Sequence, residues 1–298
     1  MSTVLALRAL NLGDLLVAVP ALRALRRHWP RHRLQLATSA WLQPIVALIG
    51  GIDELVPANG LQPLDGVDSP DVAVNLHGAG PQSNEILDAL RPRLRVGHRG
   101  HGWDGPIWTD GLHERQRWCR MLAAHGIPGD ADDLLLRRPA ASSVAPGAVV
   151  IHPGAGYGSR RWPVERYAQV AAKIDRRVVV TGTERERDLA LAVGVSDEDV
   201  LAGRLDLAEL AALIADAHLV ISADTGVAHL SYAYRTPSVV LFGPAPVQQW
   251  GPPAAGPHRC LTVASARRGD PFTDDPDPAL LGVTVDQVLA GVAALTSG

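Results

Sequence analysis

The sequence predicts an α/β protein built from two βα-repeating units, and three observations predict it. Short apolar runs alternate with helix-periodic segments along most of the chain. The alternation breaks at a Pro-, Ala- and Ser-rich stretch, residues 137–148, and starts afresh at VVIHPGAGYG. The 298 residues are enough for two domains that each bury a core. Strands separated by helices are expected to pair in parallel, under a cover of helices.

In the first unit, TVLALRA (3–9) is a strand candidate, followed by Asn-Leu-Gly and a helix over DLLVAVPALRALRRHW that Pro20 is expected to bend. RLQLATS (33–39), DELVP (53–57), DVAVNLHG (71–78) and LRVGH (94–98) read as further strands. Residues 99–111, RGHGWDGPIWTDG, have no periodicity and read as a loop. Core packing is the better account of Trp103 and Trp108, and stacking of the rings on a ligand is the competing one. ERQRWCRMLAAHGI (114–127) returns to helix, with Gly126 near its end.

In the second unit a helix opens at Pro163, a favoured first-turn position, and runs through VERYAQVAAKI. RVVVTG (177–182) is a strand and ERERDLALAVG a helix. DLAELAALIADA (206–217) begins as a capping box, Asp206 with Glu209. HLVISAD is a strand, TGVAHLSYAY a helix and SVVLFG (238–243) a strand. Thr284 and Gln287 cap a final helix, VDQVLAGVAAL.

Composition removes several function classes. A net charge of −3, with arginines and carboxylates interspersed, presents no basic face for nucleic acid. Lys173 is the only lysine and falls late in a helix, where it favours the dipole, so lysine chemistry is not expected. Cys119 and Cys260 lie outside any C-x-x-C spacing and read as free thiols of a reducing, cytoplasmic protein. No run reaches the roughly 18–20 apolar residues of a membrane span, and the N-terminus lacks the marks of a signal peptide. His98 and His101 have no carboxylate neighbours, and His113-Glu114 is not followed by a second histidine at zincin spacing, so no metal site is expected.

Three stretches carry the chemistry. SADTGVAHL (222–230) holds the Asp-Thr-Gly of aspartic proteases, but those enzymes need two such carboxylates and this chain has one, in α/β surroundings. The alternative is a helix start at the carboxyl end of a parallel strand, where backbone N–H groups and the helix dipole favour an anion. Gly226 would admit a phosphate closely, and His229 lies about one turn after Thr225. Asp224 alone reads equally well as a plain cap. HPGAGYGSRRWP (152–163) adds Gly154, Gly156 and Gly158 for a tight loop and Ser159, Arg160 and Arg161 as donors, which is phosphate-cradle chemistry without a Walker motif. NLGDLLVAVPAL (11–22) places Gly13 and Asp14 at the first helix start, where an acidic residue also complements the dipole.

Taken together, the three stretches resemble glycosyltransferase family 9, the heptosyltransferase family. The pattern R-x-x-x-L-G-D-x-L-x-x-x-P-x-L from Arg8, then HPGA…RRWP, then S-x-DTG-x-x-H…FGP, occur in family order from residue 8 to about 250. The resemblance implies the GT-B architecture, two Rossmann-like domains with parallel sheets facing across a cleft. Residues 1–138 would bind the acceptor and 148–283 the nucleotide sugar, with the final helix, 284–298, packing back on the N-terminal domain. Asp14 would be the general base of an inverting transfer. The donor would be a nucleotide sugar, ADP-heptose by family default, used without metal or other cofactor. Gly154, Ser159, Arg160, Arg161, Glu184, Asp224, Thr225, Gly226 and His229 would hold it, Asp224 orienting backbone or binding a hydroxyl. Gly13 and His77 would face the acceptor or sugar, although His77 reads equally well as a solvated loop histidine. The acceptor would be a glycan, a lipid-linked sugar or a small molecule, and contact with a membrane surface stays open. One departure is Arg160, where family members often carry Lys, so that a fork replaces a point charge at the diphosphate.

Two rival readings remain. One is a nucleotide-sugar-binding module that has lost transfer, against which Asp14 argues. The other is a GT-B-shaped sugar-nucleotide epimerase, for which no acid and base pair is identified.

Overall fold

The structure is a computed structural model that describes residues 2–296. The chain divides into two compact units, Met1–Arg137 and Arg138–Gly298.

The first unit carries strands β1 (Thr3–Leu7), β2 (Arg33–Thr38), β3 (Glu54–Pro57), β4 (Val72–Asn75) and β5 (Leu94–Val96), all parallel, in the order β3-β2-β1-β4-β5. Its helices are α1 (Leu12–His28), α2 (Gln43–Ile49), α3 (Gln82–Ala89) and α4 (Glu114–Ala124). Helix α1 has Asp14 in its first turn and Arg26, Arg27 and His28 in its last, each sign placed to complement the dipole. It runs on through Pro20, which is buried with the apolar face that packs on α4. Leu5, Leu7, Ala37, Ala73 and Leu87 form a core that also takes in Trp103, whose indole N–H donates to Asp88.

The second unit repeats the design with β6 (Val149–His152), β7 (Val178–Val180), β8 (Leu219–Ala223), β9 (Ser238–Leu241) and β10 (His258–Leu261), parallel in the order β10-β9-β8-β6-β7. Helices α5 (Val164–Ala171), α6 (Arg187–Leu191), α7 (Leu207–Asp216), α8 (Gly226–Tyr234), α9 (Val247–Trp250), α10 (Pro278–Leu281) and α11 (Val285–Thr296) complete it. Strand β10 has no counterpart in the sequence reading, because His-Arg-Cys-Leu on a sheet edge offers no apolar run. The ERERDLALAVG helix is instead a 3-10 turn, Glu184–Glu186, followed by the short α6. Helix α11, which the sequence reading sends to the N-terminal domain, packs its apolar face on its own unit. Val288 is fully buried there, with Val285, Leu289, Val292 and Leu295 against the same core, and the helix contacts α5, β9 and β10.

In each sheet the chain order reverses direction next to the first strand of the unit: between β1 and β4 in one, between β6 and β8 in the other. The carboxyl ends at such switch points are where open parallel sheets bind ligands.

Candidate active site

At the N-terminal switch point, β1 ends and the chain turns through Arg8–Asn11 into α1, which places Gly13 and Asp14 in its first turn. Asp14 keeps about a quarter of its side chain exposed (26%), and its Oδ1 lies 3.4 Å from a terminal nitrogen of Arg8, which is 2% exposed. The Arg8 Nε–H donates to the Asp14 carbonyl (3.0 Å), and its other terminal nitrogen donates to the Leu76 carbonyl (2.6 Å). The guanidinium lies 4.8 Å from the ring centroid of Trp118 on α4. Burial lowers the pKa of Arg8 from its ordinary value, while the carboxylates of Asp14 and Glu114 act the other way.

His77 follows β4 at the same edge. Its N–H donates to the Asn75 side chain (2.9 Å), and its Nδ1 is buried without a hydrogen-bond partner. Burial first, and then the charge of Arg8, push its pKa down to about 4, so the imidazole is neutral near pH 7. Behind Arg8 stands a second buried pair on α4, Arg117 Nε to Glu114 Oε1 at 2.7 Å. The Arg117 guanidinium sits 3.9 Å over Trp108, whose ring also packs against that of His98 at a tilt, centroids 4.9 Å apart. Trp108 is therefore half-buried against this polar cluster, whereas Trp103 is core.

At the C-terminal switch point, β8 leads through Asp224 and Thr225 into α8, which Gly226 opens. Asp224 and His229 are both buried, with His229 Nε2 3.6 Å from Asp224 Oδ1. The His229 ring meets Tyr232 and Trp250 edge-on. Thr225 caps the helix in extended conformation, yet its hydroxyl is buried and makes no hydrogen bond, as is that of Ser222 at the end of β8. Buried polar groups are normally satisfied, so the two unpartnered hydroxyls, one opening α8 and one near the end of β8, are exceptions that set this edge apart.

The glycine loop leaves β6 beside these residues, His152 facing Ser222 in register. A Cβ at Gly154 would meet the Glu186 carboxylate, the movable end of a side chain, whereas at Gly158 it would collide with the backbone carbonyl of Asp274, so Gly158 is the position that requires glycine. Arg160 ends the 3-10 turn Gly158–Arg160, with its Nε buried and unpartnered. Arg161 folds back instead, and its Nε and a terminal nitrogen donate to the loop's own Ala155 carbonyl.

Ser159 is a correction to the expected donor set. It is fully buried, its hydroxyl donates to the Pro271 carbonyl (2.9 Å) and its N–H to that of Thr273 (2.9 Å), so neither group is left for a ligand. Residues 269–277 thus strap the turn down, and the strap is itself fixed by buried Asp277, which accepts from the N–H groups of Arg268, Gly269 and Ala279. Glu184 stays exposed, packed on Gly203.

Sequence reasoning passed over Arg8 as a site residue, although it opens the first motif, and over His152 and Glu186. Glu186 caps Thr183 (2.8 and 2.9 Å) and faces Gly154; burial lowers the pKa of His152, with Glu186 opposing. The contacts of Arg8 with Leu76, of His152 with Thr181 and of Glu186 with Gly154 join residues distant along the chain, which a local motif does not display. Among the described residues no three His, Cys, Asp or Glu side chains converge as metal ligands would, and no helix is long and apolar enough to cross a membrane.

Residues 124–266 match the profile of glycosyltransferase family 9 (heptosyltransferase). The chain is 23% identical to lipopolysaccharide heptosyltransferase 2 of Escherichia coli K12, over 95% of each chain. It is 31% identical to lipopolysaccharide heptosyltransferase 1 of Pseudomonas aeruginosa, over 45% of this chain and 41% of that one. The solved structure of the E. coli ADP-heptose lipopolysaccharide heptosyltransferase II superposes with a TM-score of 0.79 at 20% identity, covering 98% of both chains. The fold is therefore that of the GT-B glycosyltransferases.

Proposed function

We propose that the chain is a member of glycosyltransferase family 9, and that it moves a heptose or related sugar from an ADP-type nucleotide sugar to a hydroxyl of a glycan, lipid-linked or small-molecule acceptor. The transfer inverts the anomeric centre and uses no metal. One observation carries this reading: each parallel sheet has a switch point, and that of one holds a gripped carboxylate while that of the other holds orphan donors at a helix N-terminus.

Asp14 takes the proton from the acceptor hydroxyl as its oxygen bonds to the anomeric carbon. The bond from that carbon to the diphosphate oxygen breaks, and the nucleoside diphosphate leaves with the electron pair. His77, held neutral, hydrogen-bonds the acceptor or sugar without competing for charge. The α8 N-terminus, Thr225, His229 and Arg160 stabilise the charge that develops on the leaving group, which removes the need for a cation. Asp224 acts through His229.

The test is thermal stabilisation by ADP, UDP, GDP and dTDP with and without EDTA, followed by NMR of the anomeric configuration after transfer from ADP-heptose to a heptose-free lipopolysaccharide core. Ligand at about a hundred times its Kd adds about 2.7 kcal/mol. Selective stabilisation by ADP that survives EDTA, with inverted product, supports the reading. Loss with EDTA removes the metal-free step, and preference for another nucleotide removes the ADP donor.

A further inference from the structure

Arg8 is a buried cation with an unusual set of partners. An arginine this deep is costly unless its donors are satisfied. Here one guanidinium reaches three elements: the Asp14 carbonyl and carboxylate on α1, the Leu76 carbonyl immediately before His77, and the face of Trp118 on α4. The two carbonyls stand on the two sides of the N-terminal switch point, between β1 and β4. A planar fork with donors at fixed angles can hold both at once, and a lysine ammonium on a flexible stem cannot hold them in the same geometry. The grip on the carboxylate is partial, because Asp14 Oδ1 takes the 3.4 Å contact and Asp14 retains 26% exposure.

We propose that Arg8 is a positioning residue for transfer, which ties the first turn of α1 to the end of β4 so that the Asp14 carboxylate and the His77 imidazole stay directed at one opening. This rests on the reading of Asp14 as the base. The geometry has an electrostatic companion. Arg8 and Asp14 are the charges that act on His77, the first lowering its pKa and the second raising it, while Glu114 and Arg117 on α4 act on Arg8. Arg8 thus helps keep His77 neutral as well as placing it.

The experiment compares full-length Arg8→Gln, Arg8→Lys, Asp14→Asn and the Arg8→Gln/Asp14→Asn double variant, each checked by circular dichroism. Turnover uses ADP-heptose with heptose-free lipopolysaccharide core, and wild-type inactivity with that pair would count against the proposed function rather than against Arg8. Misplacing a catalytic group by an ångström costs about 10²-fold. Arg8→Gln should lower kcat by about that factor with the acceptor KM little changed, and the double variant should be no slower than Asp14→Asn alone. Losses that multiply in the double variant would overturn the proposal, as would full kcat in folded Arg8→Gln. A second readout needs no turnover: in isotope-labelled protein the His77 imidazole should titrate higher in Arg8→Gln than in wild type, and not in Arg8→Lys. An unmoved His77 in Arg8→Gln would likewise count against it.

Discussion

The two switch points sit on parallel five-stranded sheets of different strand order and hold opposite chemistry. The N-terminal one presents a carboxylate, gripped from behind by a buried arginine and flanked by a neutral histidine. The C-terminal one presents a helix start, orphan hydroxyls and an arginine nitrogen without a partner. A site that must remove a proton keeps its own charge matched and one face open. A site that must receive an anion leaves donors unmatched until the anion arrives. The contrast teaches that the βα-repeat supplies an edge, and the few residues after the strands decide what the edge is for.

That contrast can be broken in order of expected effect. Asp14→Asn should lower kcat by about 10²–10⁴-fold, the usual worth of a general base, and leave ADP binding by calorimetry unchanged. Retained turnover would erase the distinction between the two edges. His229→Ala should cost about 10²–10³-fold in kcat, as loss of one charge-stabilising donor does, with no change in acceptor KM. Arg160→Met should weaken ADP by roughly ten- to a hundredfold, the range for a hydrogen bond to a charged group. An unchanged Kd would show that its Nε serves another partner.

The smallest effect is on stability against pH. The folded-state pKa values of His77 and His98 are depressed to about 4, chiefly by burial. In the unfolded chain each takes up a proton near 6.5, so between those values the unfolded state binds more protons. Stability should be full above pH 6.5 and fall as pH drops towards 4. Urea unfolding at several pH values should show the slope, and His98→Gln should flatten it if the assignment holds.

The sequence made the parallel α/β pattern, the interruption before VVIHPG and the strand-end motifs readable, because apolar periodicity and turn residues are local signals. Sheet order was not readable, since it depends on which crossovers pack on which face. Arg8 could be quoted as part of a motif, but its grip on Leu76 spans 68 residues. Ser159 looked like a ligand donor for the same reason in reverse, because its acceptor at Pro271 lies 112 residues away. Helix α11 carried an apolar face whose destination no local pattern names.

The strap over residues 269–277 has one more consequence. The glycine loop is held in shape from outside by a segment that exposes Arg268, Gly269 and Phe272 on its own surface. A single cut after Arg268 would free the turn that carries Arg160 while leaving β6, β8 and the core of the unit intact. Digestion by trypsin should therefore report on the donor loop: nicked protein would stay folded and lose its hold on the nucleotide, and a bound nucleotide would slow the nick.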